Sequence, residues 1–262
     1  MSARADFTSS GSDTTGWSVD RYAPNSFTSS TAPDASTAFA TTISYQDSSA
    51  NRPSGYSSTF YNTQGYKQSV NGVSGTWYLS EDLYITSSML TGTAGPMSSE
   101  LWGGTGNGLG SQSGFYCFSF LSGVDSRSAT ASASTGSMLG VFDDTTGLWS
   151  YYSTAGLTAG WSQISVAYNG STVDFFVNGN LIASQGSAVI SQDPDIATLD
   201  TAYIEDYNFY GGSGSGIPAT GDTVVYRKDI TAMTAAPVPE PSTLALASLG
   251  GFTILFGLKR RR

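Results

Sequence analysis

The stretch that decides the fold runs from residue 161 to residue 182: Trp-Ser-Gln-Ile-Ser-Val-Ala-Tyr-Asn-Gly-Ser-Thr-Val-Asp-Phe-Phe-Val-Asn-Gly-Asn-Leu-Ile. Apolar side chains recur at every second position, which is the spacing of half-buried β-strands. These positions are Ile164, Val166 and Tyr168 in the first run and Val173, Phe175 and Val177 in the second. Two Asn-Gly pairs separate the runs, and this dipeptide tolerates the positive φ angles of a type I′ turn. The stretch therefore predicts three antiparallel strands joined by two tight hairpins.

Short runs of aromatic and β-branched residues continue on both sides of this stretch, and no internal segment has the periodicity of an amphipathic helix. Further strands are predicted at Thr37–Tyr45, Thr76–Ile85, Gly114–Leu121, Ser137–Phe142, Leu148–Tyr152, Ala202–Phe209 and Thr223–Asp229, with weaker ones at Trp17–Tyr22 and Ser57–Tyr61. Short strands at such spacing predict an all-β fold, a two-sheet antiparallel jelly-roll sandwich. We expect one domain over residues 6–230, followed by a linker over 231–238.

The hairpin stretch, with a tryptophan opening a strand and Val177-Asn178-Gly179 closing the next one, resembles the concanavalin A-like, laminin G-like jelly-roll superfamily. The final run from Gly221 to Ile230 is similar to the last strand of such domains. The resemblance implies a domain that binds carbohydrate or protein, often with calcium, and some members are glycosidases or lyases. The fold does not choose among these functions.

The composition excludes several kinds of site. The 262 residues include 20 acidic residues, 11 basic residues and no histidine, for a net charge of −9. Without histidine there is no His-dependent triad, no His-ligated metal and no His pH switch. The acidic balance disfavours nucleic acid as a partner, because no basic stripe is present to neutralise phosphates. The single cysteine, Cys117, lies in an apolar run and is expected in the core.

The charge is unevenly distributed along the chain. Residues 6–236 hold 19 acidic and 6 basic residues, while Lys259, Arg260, Arg261 and Arg262 form a basic end. Before that end, the 15 residues from Leu244 to Leu258 carry no charge. Counted from Ser242, such a helix is roughly 25 Å long, at the short edge of what spans a bilayer. We expect a C-terminal apolar helix that inserts in the membrane with its basic end cytoplasmic; the alternative is a buried helix.

Just upstream, the prolines of Val238-Pro239-Glu240-Pro241-Ser242-Thr243 favour an extended, accessible segment. Together with the apolar run and the basic tail, residues 238–262 resemble the PEP-CTERM sorting signal of Gram-negative bacteria, with the signal itself at 239–262. The resemblance implies that a membrane-embedded exosortase recognises Pro239, Glu240 and Pro241. The chain would then be anchored transiently in the inner membrane through its C-terminal helix and retained there by its basic tail. It would next be cut and delivered to the cell surface or extracellular matrix.

An exported protein also needs an entry signal. Residues 1–5 contain Ala3-Arg4-Ala5, a small-x-small pattern of the kind that precedes signal-peptidase cleavage. We interpret residues 1–5 as the remnant of a signal peptide; the alternative is an ordinary cytosolic start.

Catalysis is not expected. A glycosidase needs two carboxylates at a set separation, and the chain has four glutamates: Glu81, Glu100, Glu205 and Glu240. The Glu-x-Asp-x-x-Glu strand motif of jelly-roll glucanases is absent. The adjacent pairs Glu81-Asp82 and Glu205-Asp206 would point to opposite faces of a strand. A glycosidase or lyase stays a less favoured alternative.

Sugar binding needs exposed aromatic rings beside polar acceptors. Trp102 enters a Gly/Asn-rich segment that reads as a loop, which makes Trp102 and Asn107 the first candidates. Trp149 and Tyr152 form a second group. The competing interpretation for each aromatic residue is ordinary packing.

Calcium needs oxygen ligands that converge from loops. Asp143 and Asp144, and Asp193 and Asp195, are candidate ligands, although solvated turn residues would look the same. The sequence as a whole predicts an exported, non-catalytic polysaccharide-binding protein. The alternative is a structural matrix, coat or adhesion protein without a sugar site.

Overall fold

The structure is a computed structural model, and it describes residues 5–21, 23–43, 63–94, 97–107, 111–123, 136–208 and 223–234. These residues form fifteen strands and two one-turn helices, arranged as two antiparallel sheets packed face to face. This arrangement confirms the predicted jelly-roll sandwich.

Sheet A has eight strands, in the order β13-β12-β11-β6-β15-β4-β3, with β1 paired to β15. Its strands are β1 (Ala5–Ser9), β3 (Ser26–Thr31), β4 (Thr37–Ile43), β6 (Trp77–Ile85), β11 (Gly160–Tyr168), β12 (Val173–Val177), β13 (Asn180–Gln185) and β15 (Thr223–Thr234). The helices α1 (Ser87–Leu90) and α2 (Ser187–Ile190) follow β6 and β13.

Sheet B has seven strands, in the order β10-β9-β8-β7-β14-β5-β2. Its strands are β2 (Ser18–Arg21), β5 (Thr63–Ser74), β7 (Met97–Gly106), β8 (Gln112–Ser122), β9 (Ser137–Asp143), β10 (Leu148–Ser153) and β14 (Thr198–Asn208). The main apolar core lies between the sheets, where inward side chains such as Phe118 of sheet B and Phe175 of sheet A meet at 5.7 Å.

The decisive stretch forms the predicted meander, with one difference. Asn178 and Gly179 have φ angles of 49° and 75° and join β12 to β13 by a two-residue turn, as predicted. The first connection is wider, because Tyr168 pairs with Val173 and leaves four residues in the loop. There the Asn169 side chain accepts hydrogen bonds from the backbone N–H groups at positions 171 and 172, which stabilises the longer loop.

Two sequence-based boundaries change. The glycine-rich segment around Trp102 is not a loop but the strand β7, paired on one side with β8 and on the other with β14. The expected linker over 231–238 begins as strand, because β15 continues to Thr234 and pairs there with β1 and β6.

Several expectations lie outside the described residues. These are most of the signal-peptide remnant at 1–5, the strand at Ser57–Tyr61, the motif Pro239, Glu240 and Pro241, the apolar helix and the basic tail Lys259 to Arg262. Among the residues that the structure does describe, no helix has the length and apolar character needed to cross a bilayer.

Candidate functional site

Sheet B carries a second set of apolar side chains on the face that points away from sheet A. Trp102, Cys117 and Tyr203 form a cluster separate from the main core, with Phe115, Phe142 and Trp149 packed against it. Successive residues of a strand alternate between the two faces of a sheet. Each strand of sheet B therefore places one set of side chains in the core and the other set on this outer face.

The register of sheet B arranges these outer residues in a line across the strands, which we call the aromatic row. From β10 to β5 the row consists of Trp149, Phe142, Cys117, Trp102, Tyr203 and Lys67. Neighbouring rings are in contact: the centroids of Phe142 and Trp149 are 5.3 Å apart, and those of Trp102 and Tyr203 are 6.0 Å apart.

A second line runs beside the first and is called the carboxylate row. From β10 to β2 it consists of Tyr151, Gly140, Ser119, Glu100, Glu205, Gly65 and Asp20. Glu100 and Glu205 are direct cross-strand partners, and both are fully buried. Since cross-strand partners have Cβ atoms about 4.5–5.5 Å apart, two carboxyl groups share the centre of this face.

Glycines on this face make room for the larger side chains. A Cβ atom placed on Gly65 would lie 2.5 Å from a carboxyl oxygen of Glu205 and 2.2 Å from the carbonyl oxygen of Ile204. The same relation recurs twice on this face. A Cβ atom on Gly104 would lie 2.8 Å from the ring of Tyr203, and one on Gly140 would lie 3.0 Å from the ring of Trp149.

The two glutamates have different surroundings. Glu100 accepts a hydrogen bond from the Trp102 indole N–H at 2.8 Å and another from the Ser98 hydroxyl. Neither carboxyl oxygen of Glu205 has a hydrogen-bond partner among the described residues, and the nearest cation is Nη1 of Arg21 at 3.9 Å. Burial raises the pKa of Glu205 well above its ordinary value, Arg21 opposes the rise, and the acidic neighbours Asp20 and Glu100 add to it.

Strands β2 and β5 supply the charges that lie over the rows. The guanidinium of Arg21 lies 4.5 Å from the centroid of the Trp102 ring, and this residue has a φ of 55°. The ammonium of Lys67 is 5.7 Å from the Tyr203 ring and 3.0 Å from Asp20, which also pairs with Arg21.

The neighbour of Glu205 in sequence points the other way, as the alternation predicts. Asp206 lies between the sheets, where it accepts two hydrogen bonds from the guanidinium of Arg227, at 2.6 and 2.9 Å. Nε of Arg227 lies 3.3 Å from a carboxyl oxygen of Glu81, and all three side chains are fully buried. Burial raises the pKa of Glu81 to about 7 against the opposing charge of Arg227. This trio belongs to the core and not to the outer face.

The structure places the predicted sugar-binding residues differently from one another. Trp102 is only 1% exposed and lies in the middle of the aromatic row, so its expected role as an exposed loop platform is wrong. Asn107 is exposed just beyond β7. Trp149 is half-buried at the edge of the row, whereas Tyr152 packs against the core on the opposite face of β10.

The predicted calcium ligands Asp144 and Asp193 come from different loops and meet at one pocket of about 280 Å³. Asp143 instead accepts hydrogen bonds from its own turn, at positions 145 and 146, and Asp195 is half-buried away from the pocket lining. Within the described ranges no group of three or more acidic or cysteine side chains gathers that could hold a metal ion.

Sequence reasoning missed Glu100, Glu205, Arg21 and Tyr203 as a group. Glu100 and Glu205 are 105 residues apart in the sequence, and only the pairing of β7 with β14 makes them neighbours. The one readable signal was the alternation of Ser98, Glu100, Trp102 and Gly104, which puts polar and aromatic residues on one face of a strand.

Comparisons with known proteins bear on the C-terminal motif and on the fold of the body. Residues 237–262 match the PEP-CTERM protein-sorting motif, which confirms the resemblance found at that end of the sequence. The motif implies export, a membrane-anchored sorting signal and processing by an exosortase. None of the curated proteins matches the chain in sequence.

Solved structures match the fold of the body. One is a glycoside hydrolase family 16 endo-glucanase from Bacteroides ovatus, solved in complex with G4G3G-2F-DNP. Its sequence is 7% identical to this one, the alignment covers 87% of this chain and 99% of that chain, and the TM-score is 0.51. Another comes from work on endo-acting O-glycanases that prominent members of the human gut microbiota express to initiate mucin breakdown. It is 9% identical, with 89% of this chain and 100% of that chain covered and a TM-score of 0.54.

At such identities the likeness shows the fold alone. The chain is thus similar in fold to these proteins. It is a jelly-roll β-sandwich protein that carries a PEP-CTERM protein-sorting motif at residues 237–262.

Proposed function

We propose that this protein, exported through its sorting motif, contacts polysaccharide at the surface or in the extracellular matrix of a Gram-negative cell, using the outer face of sheet B without catalysis. The observation that carries the proposal is the pair of adjacent rows, one aromatic and one acidic, held in register across the sheet.

The chemistry of the two rows suits a sugar chain. Aromatic rings pack against the apolar C–H faces of sugar rings, and carboxylates accept hydrogen bonds from sugar hydroxyls. Trp149, Phe142 and Phe115 are the half-exposed members of the cluster, and they offer the accessible stacking surface. Glu205 has acceptor oxygens that no described residue satisfies. Because Glu205 is fully buried, ligand hydroxyls reach these oxygens only when the side chains that cover them move aside.

Binding is tested with the substitution Trp149→Ala. The matched control is Trp161→Ala, since Trp161 is also a half-exposed tryptophan but lies on the outer face of sheet A beside Tyr84. We expect Trp149→Ala to reduce retention on a glycan array and in polysaccharide pull-downs at least tenfold, with little change for Trp161→Ala. Retention of no glycan by the wild-type protein would favour the matrix or coat alternative, and equal losses in both variants would move the site away from sheet B.

Processing is tested by the intact mass of the protein in cells with and without exosortase. We expect the secreted form to lose the residues after the Pro239-Glu240-Pro241 motif only when exosortase is present. If both preparations retain Lys259 to Arg262, the proposal that exosortase processes this chain is wrong.

A second candidate function, glycoside cleavage, is favoured by the unequal surroundings of Glu100 and Glu205. Acid–base pairs in glycosidases consist of one carboxyl group with a raised pKa and a second one that stays ionised. Glu205 would donate its proton to the leaving oxygen while the C–O bond breaks, and Glu100 would take a proton from the attacking water. Both carboxyl groups are fully buried, so this reaction requires the side chains that cover them to move aside. A strand-by-strand motif search cannot detect such a pair, because its members lie on different strands.

Glu205→Gln separates the two candidates. This variant keeps the shape of the side chain but cannot act as a general acid. If the wild-type protein releases reducing ends from a bound polysaccharide and Glu205→Gln binds it without doing so, cleavage is the function. If wild-type protein binds the polymer and releases nothing, binding alone is the function.

A further inference from the structure

The pocket of about 280 Å³ lies at the beginning of β8, beside the outer face of sheet B. Its walls come from three parts of the chain: β8, the turn between β9 and β10, and the segment at α2. Phe115 connects it to the aromatic row, since its ring centroid is 5.7 Å from that of Tyr203 and 6.3 Å from that of Trp102. A sugar chain lying along the row therefore reaches the pocket through Phe115.

One wall of the pocket is a fixed carboxylate. Asp193 accepts hydrogen bonds from the hydroxyls of Ser113 at 2.6 Å, Thr105 at 2.5 Å and Tyr116 at 3.2 Å, and from the backbone N–H of Asp195 at 3.0 Å. Four donors hold both oxygens in place.

The second carboxylate, Asp144, is exposed and accepts a hydrogen bond from the backbone N–H of Phe115 at 3.2 Å. Desolvation of its carboxyl group raises its pKa, the hydrogen bond from Phe115 opposes this rise, and the charges of Asp193 and Asp143 add to it. No lysine or arginine is among the described residues that line the pocket. The pocket thus holds negative charge that its own walls do not neutralise.

The remaining walls favour an organic cation. Phe115 and Tyr116 are among the residues that line the pocket, and aromatic side chains attract ammonium groups. The lone pairs of Asp193 are engaged by four donors, which leaves too few oxygens for the six to eight ligands of calcium. The volume also exceeds what a bare ion needs and approaches the size of small-molecule sites.

We propose that this pocket binds the free, protonated amine of an amino sugar unit, with Asp144 as the pairing carboxylate and Phe115 as the stacking ring. The inference rests on the proposed polysaccharide binding and names the class of sugar: a polymer with de-N-acetylated hexosamine units. Gln192 and Thr145, both exposed at the rim, provide further polar groups for the hydroxyls of the same ring.

The test is a calorimetric titration of the full-length protein with glucosamine oligomers, N-acetylglucosamine oligomers and neutral glucan oligomers of equal length. We expect glucosamine oligomers to bind at least tenfold more tightly than the N-acetylated ones. Asp144→Asn should abolish this preference. The matched control is Asp229→Asn, which removes the same charge from an exposed position on β15.

Each other outcome has a defined meaning. Equal binding of all three oligomers, lost in Trp149→Ala, overturns the amine site but leaves the proposed function intact. Binding of none of them contradicts both. If calcium binds to the pocket and does not compete with amines, the assignment to an amino sugar is wrong. The same holds if a lysine peptide binds as tightly as the glucosamine oligomers.

Discussion

Glu100 on β7 and Glu205 on β14 are directly opposite each other across two central strands of sheet B, and neither carboxyl group is exposed. Glu100 accepts hydrogen bonds from the indole N–H of Trp102 and the hydroxyl of Ser98. The nearest cationic atom to the carboxyl group of Glu205 is Nη1 of Arg21, at 3.9 Å. A buried carboxyl group without hydrogen-bond donors is costly to ionise. The unequal environment of these two residues makes the outer face sensitive to pH, and it defines the first prediction.

Glu205→Gln should change how stability depends on pH. The pKa of Glu205 is raised in the folded protein, so its contribution to stability is complete below its ordinary value of 4.5 and is lost as the pH rises through the folded-state value. The glutamine variant lacks this loss. Its free energy of unfolding, relative to that of the wild type, should therefore increase as the pH rises. Urea unfolding at pH 4, 6 and 8 measures the difference, and parallel stability curves would contradict the prediction.

Arg227→Met should be strongly destabilising, by about 3–5 kcal/mol, because it leaves Asp206 and Glu81 buried without their cation. Replacing all three side chains by apolar residues (Arg227→Met, Asp206→Val and Glu81→Leu) should recover at least half of that loss. Denaturant midpoints of the single and triple variants provide the measurement. A triple variant no better than the single one would show that the ion trio contributes more than charge balance.

Trp102→Ala and Trp149→Ala should separate packing from binding. Trp102 is buried in the centre of the aromatic row, and its removal should lower the free energy of unfolding by about 3–5 kcal/mol. Trp149 is half-buried on an edge strand, and its removal should lower the free energy of unfolding by about 1 kcal/mol. The same substitution should weaken glycan retention. Thermal unfolding and glycan pull-downs on the same preparations measure stability and binding. An equal loss of stability in the two variants would contradict the prediction.

Gly65→Ala should destabilise the protein and disturb Glu205. The added methyl group would meet the Ile204 carbonyl oxygen at 2.2 Å and a Glu205 carboxyl oxygen at 2.5 Å, so the backbone or the carboxyl group must move. Gly186→Ala is the control, since its added methyl group would meet nothing within 4 Å and its φ is −93°. We expect the free energy of unfolding to fall by about 2 kcal/mol for Gly65→Ala and by about 0.5–1 kcal/mol for the control, since Gly186 caps α2 and alanine is a poorer N-cap than glycine. Equal melting temperatures would contradict the close approach at Gly65.

Much of the fold is readable in the sequence because local patterns determine it. The alternation in residues 161–182 predicts both strand faces, and the positive φ angles at Asn178 and Gly179 are what an Asn-Gly turn requires. The loop at Asn169 is longer than predicted because side-chain hydrogen bonds stabilise the wider turn, and dipeptide rules do not include them.

The candidate site was much less predictable. Glycines 103, 104 and 106 suggested a loop at Trp102, whereas Gly104 is present because a Cβ atom there would lie 2.8 Å from the ring of Tyr203. A glycine required by packing and a glycine required by a turn look alike in a single sequence. The rows themselves depend on pairing between distant strands, such as β7 with β14, and local patterns carry no information on that register.

The position of β15 has a mechanical consequence for a protein with a sorting segment after it. This strand is paired with β6 on one side and with β4 and then β1 on the other, and its last residue, Thr234, donates two hydrogen bonds of 2.7 Å to Asp6. Antiparallel hydrogen bonds lie perpendicular to the strand, so a pull transmitted along β15 shears many of them at once and does not unzip them singly. A tether held at the membrane by residues 237–262 would load the sandwich in its most resistant direction.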